Sequence, residues 1–224
     1  MPTMKIAIDG PAGAGKSTIA KKIAEKLKIV YIDTGAMYRT VGFAAVRSGI
    51  DPKDEKGVCG ILDSIDIEIA HGDDGQIVYL NGTDVSREIR TPEISVAASD
   101  VAVIAKVREK LVELQRSLAE KTDVVMDGRD IGTFVLPDAG IKIFLTASSD
   151  ERAARRFAEL REKGENVTLD EVKRDMEYRD KNDSSRSIAP LKAAHDSIRV
   201  DTTGKTLDES VEMILDIVNK GRSR

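Results

Sequence analysis

No stretch constrains this chain more than Gly10-Pro11-Ala12-Gly13-Ala14-Gly15-Lys16-Ser17-Thr18. It fits G-x-x-x-x-G-K-S/T, and both flanks are those the pattern needs. Met4–Asp9 reads as a short buried strand, and Ile19, Ile23, Ala24 and Leu27 recur at helical spacing. Between a strand end and a helix start, glycines let successive backbone N–H groups turn inward around an anion. The helix N-terminus adds partial positive charge from the same side. Lys16 is then set to reach the β- and γ-phosphates of a nucleotide, with the Ser17 hydroxyl on Mg²⁺. The stretch predicts a nucleoside-triphosphate site.

Composition narrows what can surround such a site. At 224 residues the chain can bury a full core as one domain with inserts. A net charge of −4, 4% aromatic residues and no Trp argue against a nucleic-acid or membrane binder, which needs a basic excess or stacking rings. Anion specificity must therefore come from locally clustered arginines. Cys59 is the single cysteine, so neither a disulfide framework nor a zinc spacing is available. No apolar run approaches membrane-spanning length, and Met1–Lys5 lacks a signal-peptide core, so a soluble cytoplasmic protein is expected.

Beyond the loop the chain alternates strand and helix. Ile29–Asp33 is a second apolar strand, and Asp33-Thr34-Gly35-Ala36-Met37-Tyr38-Arg39 leads from it into a helix. At a strand's carboxyl end these residues fall beside the phosphate loop. Residues 50–63 read as loop and short helix without an assignable role. The character then changes: Asp66–Ala70 alternates with period two, Gly72–Gly75 is a turn, Gln76–Leu80 is a strand, and Asn81-Gly82 is a tight-hairpin pair before Thr83–Val85. This is a small antiparallel meander, read as a flap beside the substrate cleft, with a decorative edge insertion as the plainer alternative. Helices return from Thr91, with Pro92 in the first turn and a second helix marked by Val107, Leu111, Leu114 and Leu118. Asp123–Asp127 is a strand ending in an acid, the pattern that holds Mg²⁺ through water in P-loop enzymes. Ile141–Leu145 and Ile198–Asp201 complete the strands, and Leu207–Val218 is the closing helix. The expected fold is α/β: a five-stranded parallel sheet flanked by helices, with the inserted meander and a helical lid.

The arginines are the second clue. Phosphoryl transfer to a small acceptor requires many phosphate oxygens to be neutralised with water excluded. Arg39 and Arg129 follow strand ends next to the loop, where an acceptor phosphate could be clamped. Arg152, Arg155, Arg156, Arg179 and Arg186 lie in helices between the last two strands, a fair place for a lid. The helical arginines could equally be a solvated face pairing with Glu151, Glu159 and Glu162.

Taken together these segments resemble bacterial cytidylate kinase over essentially the whole chain. The resemblance is carried by IAIDGPAGAGKST (Ile6–Thr18), IDTGAMYR (Ile32–Arg39), EIRTPEIS with AAS (Glu88–Ser99), KVRE (Lys106–Glu109), MDGRDIGT (Met126–Thr133), KIFLTAS (Lys142–Ser148) and RDKNDSSRSIAPL (Arg179–Leu191). It implies a P-loop nucleoside monophosphate kinase that uses ATP as Mg·ATP and acts on CMP or dCMP as a monomer. It implies that Gly10 to Thr18 bind the ATP phosphates, with Lys16 across the transferred group and Arg155 and Arg156 as further ATP contacts. Thr34, Tyr38, Arg39 and Arg129 would surround the acceptor phosphate, Arg179 and Asp183 would hold the ribose, and Arg186 would lie near the base and the transferring phosphate. Ser99, Arg108 and Asp130 would read the cytosine. Lys16, Asp127, Arg129 and Arg186 are the expected catalytic set, with Ser17 and Asp127 organising the metal. The core is expected over residues 1–48, 119–150 and 195–224, the acceptor region with the meander over about 34–118, and the lid over about 151–190.

The base-reading set also makes sense by itself. Cytosine offers an N4 amine beside the N3 and O2 acceptors, so a carboxylate with one or two donors suits it, while uracil turns a carbonyl toward that carboxylate. Rival readings are a kinase for UMP, AMP or another small acceptor, and a GTPase-like switch. The switch needs D-x-x-G and N-K-x-D, which Asp127-Gly128-Arg129-Asp130 and Asn219-Lys220-Gly221-Arg222 do not supply.

Overall fold

The structure, a computed structural model, describes residues 3–72 and 75–222. In chain order, β1 (Lys5–Asp9) is followed by α1 (Lys16–Leu27), β2 (Val30–Asp33), α2 (Thr34–Arg47) and α3 (Glu55–Leu62). Three short strands come next: β3 (Ile67–Gly72), β4 (Gly75–Leu80) and β5 (Thr83–Asp84). Then follow α4 (Pro92–Val101), α5 (Ala105–Glu120), β6 (Val124–Gly128), β7 (Ile141–Thr146), α6 (Ser149–Glu162), α7 (Leu169–Ser185), β8 (Ile198–Asp201) and α8 (Leu207–Arg222).

The central sheet has the order β2-β6-β1-β7-β8 with every pairing parallel. Its inner strands read as unbroken apolar runs because both faces are covered. Side chains alternate between the faces. Ile6 and Ile8 join Ile19, Ile23, Ile143 and Ile214 on one side, while Ala7 joins Met37, Val41, Leu111 and Met126 on the other. The order brings β6 beside β1, so Asp127 and Gly128 stand level with Ile8 and Asp9 at the mouth of the phosphate loop.

Local chemistry accounts for the element ends. Thr91 caps α4 by accepting the Ile94 N–H, with Pro92 at the first helical position. Thr168 and Glu171 form a reciprocal capping box on α7. Asn81 and Gly82 both have positive φ, 49° and 76°, as a two-residue hairpin turn between twisted strands requires. In the other expected turn, Gly72–Gly75, residues 73 and 74 lie outside the described residues. The short helix expected within residues 50–63 is α3, whereas the single π-helical turn Ile131–Val135 directly after β6 was not legible beforehand.

The meander is the three-stranded sheet β3-β4-β5. Ile67, Val78 and Leu80 are buried in the same apolar cluster as Ala36 and Met37 of α2. It is therefore seated on the core rather than hung at its edge.

Candidate active site

The phosphate loop links β1 to α1, and two of its glycines are required by geometry. Gly10 has φ 153°, and a Cβ there would stand 2.0 Å from the Leu145 carbonyl oxygen. Gly15, at φ 87°, caps α1 without offering a side-chain oxygen, so the first helical N–H groups open on the cleft. Lys16 is buried and its Nζ donates to Pro11 O at 2.7 Å. Burial, with help from the nearby Arg129 guanidinium, pulls its pKa down to about 7.

Across the loop, Asp127 accepts from Ser17 Oγ at 2.8 Å and from the Tyr31 hydroxyl at 2.8 Å. Burial, then the neighbouring Asp33 charge, pushes the Asp127 carboxyl above its usual range. Its backbone carbonyl accepts from Thr34 Oγ1 at 2.7 Å. One hydroxyl and one carboxylate beside the loop are hard oxygen donors of the kind that suit Mg²⁺, an ion that keeps several waters of its own. Among the described residues no cluster of three or more His, Cys, Asp or Glu forms an all-protein cage.

Two buried carboxylates organise the guanidinium wall. Asp33 accepts from Arg39 Nη2 at 2.7 Å and from Arg90 Nη1 at 2.8 Å. Asp183 accepts from Arg129 Nε at 2.7 Å and also pairs with Arg186. Burial by itself would raise both carboxyls, but the adjacent guanidiniums hold each at about 2. Arg179 is half-buried among these charges; desolvation, then the positive charge of Arg129, lowers it to about 10. The Nε groups of Arg39, Arg179 and Arg186 and the Tyr38 hydroxyl are buried without hydrogen-bond partners. Arg39, Arg90, Arg129, Arg179 and Arg186 all line one cleft, a concentration of guanidiniums suited to an anion.

Deeper in, Arg108 Nη2 pairs with Asp130 Oδ2, and Ser99 Oγ donates to Asp183 Oδ1 at 3.2 Å. Arg108 is only 1% exposed and stands behind Asp130. Burial raises the Asp130 carboxyl above its usual range even though Arg108 and Arg186 oppose this.

A cleft of about 960 Å³ collects most of the expected residues. Ala12 to Thr18, Asp127, Arg155 and Arg156 line it together with Thr34, Tyr38, Arg39, Ser99, Arg129, Asp130, Arg179, Asp183 and Arg186. Gly10, Pro11 and Arg108 do not reach its wall. Arg155 donates to the Thr202 carbonyl at 2.8 Å and to Glu151, and Arg156 pairs with Glu159, so each also makes the helix-face contacts expected of solvated arginines.

Three residues were missed, and a fourth, Arg152, was expected in the lid without its contact to the loop. Arg90 lines the cleft and shares Asp33, but it stands in a short 3-10 turn with no strand end to mark it. Asp9 accepts the Ile131 and Gly132 N–H groups at 2.7 and 2.8 Å, and burial raises it to about 6. Asp180 accepts the Ala12 N–H at 2.9 Å while Arg152 donates to the Ala12 carbonyl at 2.7 Å, clasping one peptide of the loop. A strand-terminal Asp before the first glycine was the one available hint for Asp9. The Arg152–Asp180 pair spans 28 residues and left no local pattern.

A glycine-rich loop at the head of a parallel sheet, facing a wall of guanidiniums, defines a P-loop kinase. Solved structures share the fold: a shikimate kinase from Acinetobacter baumannii superposes with TM-score 0.50 at 14% identity, covering 99% of this chain and 96% of that one. An uncharacterized protein from Eubacterium ventriosum does so with TM-score 0.56 at 17% identity, covering 97% and 99%. The family model for cytidylate kinase matches residues 6–220. The cytidylate kinase of Caldicellulosiruptor bescii is 50% identical over 220 residues, 98% of this chain and 97% of that protein. That of Lactobacillus johnsonii is 52% identical over 217 residues, 97% and 94% respectively. The chain belongs to the cytidylate kinase family.

Proposed function

We propose that the protein transfers the γ-phosphoryl group of Mg·ATP to CMP or dCMP, giving ADP and CDP or dCDP. Family membership over nearly the whole chain supports the reaction. The observation that carries the site assignment is one cleft lined by the phosphate loop with Lys16 and by the guanidinium residues Arg39, Arg129, Arg179 and Arg186.

The loop N–H groups and Lys16 hold the donor phosphates, and the anionic phosphates keep Lys16 protonated. Arg39 and Arg129, backed by Thr34 and Tyr38, fix the acceptor phosphate. An acceptor oxygen attacks the γ-phosphorus, the bond to the β–γ bridging oxygen breaks, and the electron pair leaves with ADP. No general base is needed, because a phosphate monoester is already largely dianionic at neutral pH. Lys16, Arg129 and Arg186 offset the charge spread over the equatorial oxygens. Ser17 and, through water, Asp127 would hold Mg²⁺, which would supply charge neutralisation to the phosphates during transfer. Arg179 and Asp183 hold the ribose, and Arg155 and Arg156 meet ATP from the lid. Asp130 accepts the cytosine N4 amine, while Ser99 and Arg108 serve its acceptor edge.

In this reading residues 1–48, 119–150 and 195–224 form the core, about 34–118 the acceptor region and about 151–190 the lid. The enzyme acts as a cytoplasmic monomer with no nucleic-acid partner. Among the described residues no helix is long and apolar enough to cross a membrane. The test is ADP release from Mg·ATP with CMP, dCMP, UMP, AMP and GMP offered separately. Rates confined to CMP and dCMP are expected. An equal rate with UMP would remove the base-reading role of Asp130, and silence with all five would leave the acceptor unassigned.

A further inference from the structure

β2 is one of the two outer strands of the parallel sheet, so half of its backbone polar groups face away from β6. In a parallel ladder a residue's N–H and C=O point to the same side, and the side alternates along the strand. Val30 N–H donates to Asp123 O, which turns residues 30 and 32 toward β6 and residues 31 and 33 outward. The meander meets those two outward positions. His71 Nε2 lies 2.8 Å from the Tyr31 carbonyl oxygen, and since a carbonyl only accepts, that nitrogen carries the hydrogen. Gln76 brackets Asp33: its Oε1 accepts the Asp33 N–H at 2.8 Å and its Nε2 donates to the Asp33 carbonyl at 3.3 Å. One side-chain amide thus stands in for a neighbouring strand. The pairing is placed at the residue whose carboxylate holds Arg39 and Arg90 and whose Oδ1 accepts the Ala36 N–H to cap α2.

We propose that Gln76 is a positioning residue for acceptor-phosphate binding, and that the meander serves to fix the Asp33 peptide and through it the Arg39 and Arg90 guanidiniums. The chain of contact is Gln76 to Asp33 to the arginines, with no contact from Gln76 to substrate. Gln76 is half-buried on the same face of β4 as Val78 and Leu80; those two make the apolar seat of the sheet, while the Gln76 amide meets the Asp33 peptide. A bracket acting on the phosphate clamp has a signature that simple stiffening of the hairpin lacks. It weakens ligands that carry a 5′-phosphate and spares those that do not.

The inference rests on the acceptor-site reading above, so the wild-type protein must first turn over CMP; if it does not, that reading fails and not this one. Given turnover, steady-state kinetics of Gln76→Ala should show KM for CMP raised about tenfold, with KM for ATP and kcat within about twofold. The inhibition constant of cytidine, the same base and sugar without the phosphate, should stay unchanged. Gln76→Glu keeps the size and the acceptor but turns an oxygen toward the Asp33 carbonyl, so it should weaken CMP with the same indifference to cytidine. It also secures the test if the alanine variant folds poorly. Equal weakening of CMP and cytidine, or unchanged KM for CMP in folded Gln76→Ala and Gln76→Glu, would overturn the proposal.

Discussion

The Ser17 hydroxyl donates to Asp127 Oδ2 at 2.8 Å, joining positions 110 residues apart in the chain. The contact exists because β6 lies against β1 in parallel register, so the strand-ending acid and the loop's serine reach the same point. It makes the phosphate loop and the acidic strand one site, and the remaining functional groups are placed around it.

Lys16 is the residue on which turnover should depend most. Lys16→Ala removes a buried cation and one hydrogen bond to Pro11, so the fold should survive, while kcat should drop about a hundredfold or more. Circular dichroism and a melting curve check the first half and ADP release the second. A near-normal rate would remove Lys16 from the mechanism.

Asp130→Ala should raise KM for CMP and narrow the preference for CMP over UMP by about tenfold or more. The same change strands Arg108, which is 1% exposed and paired with Asp130, at a cost of about 3–5 kcal/mol. Kinetics must therefore be taken below the melting temperature of the variant. An unchanged base preference in folded protein would cancel the role of Asp130.

Divalent metal should be required and held in part by Asp127. Chelation with EDTA should stop turnover and added Mg²⁺ restore it. Asp127→Asn should raise the Mg²⁺ concentration that gives half-maximal rate while leaving KM for CMP little changed. Rates insensitive to EDTA would refute the metal assignment.

Acid should weaken the fold through the carboxylates that hold the arginine wall. Asp33 and Asp183 titrate at about 2 in the folded chain, against 3.8 for an unperturbed aspartate. Between those values the unfolded chain binds more protons, so stability falls as pH drops from about 4 towards about 2. Asp9 works in the opposite sense. Raised to about 6, it takes up a proton in the folded chain first, so stability gains as pH falls from about 6 to about 4. Urea midpoints across this range should show both limbs. Asp9→Asn should flatten the upper limb, and Asp33→Asn should flatten the lower one; a lower limb unchanged in Asp33→Asn would show that Asp33 does not set it.

Much of the fold was legible because its signals are local. The glycine-lysine-serine loop, the apolar strands, the Asn-Gly turn and the helix start at Thr91-Pro92 each depend on neighbours a few residues away. The strand-ending Asp127 and the acids and bases of the expected site were legible as residue types. Their pairing was not. Arg39 looked like a phosphate clamp, but that it shares Asp33 with Arg90 depends on a contact across 57 residues. Arg152 looked like one of several helix-face arginines, yet it holds the Ala12 carbonyl 140 residues away.

The sequence by itself determined the α/β alternation and the phosphate loop, because periodicity, turn chemistry and motif spacing are written within short windows, and it carried the segments on which the family resemblance rests. Only the tertiary structure decided the strand order, which carboxylate each guanidinium pairs with, and where the meander sits. Those outcomes follow from the edge that β2 leaves open and from burial, which brings Arg108 to Asp130 and Arg129 to Asp183 across 22 and 54 residues of chain. Gln76 carries no signal in its own neighbourhood, and its place at Asp33 exists only once β2 has become the edge of the sheet.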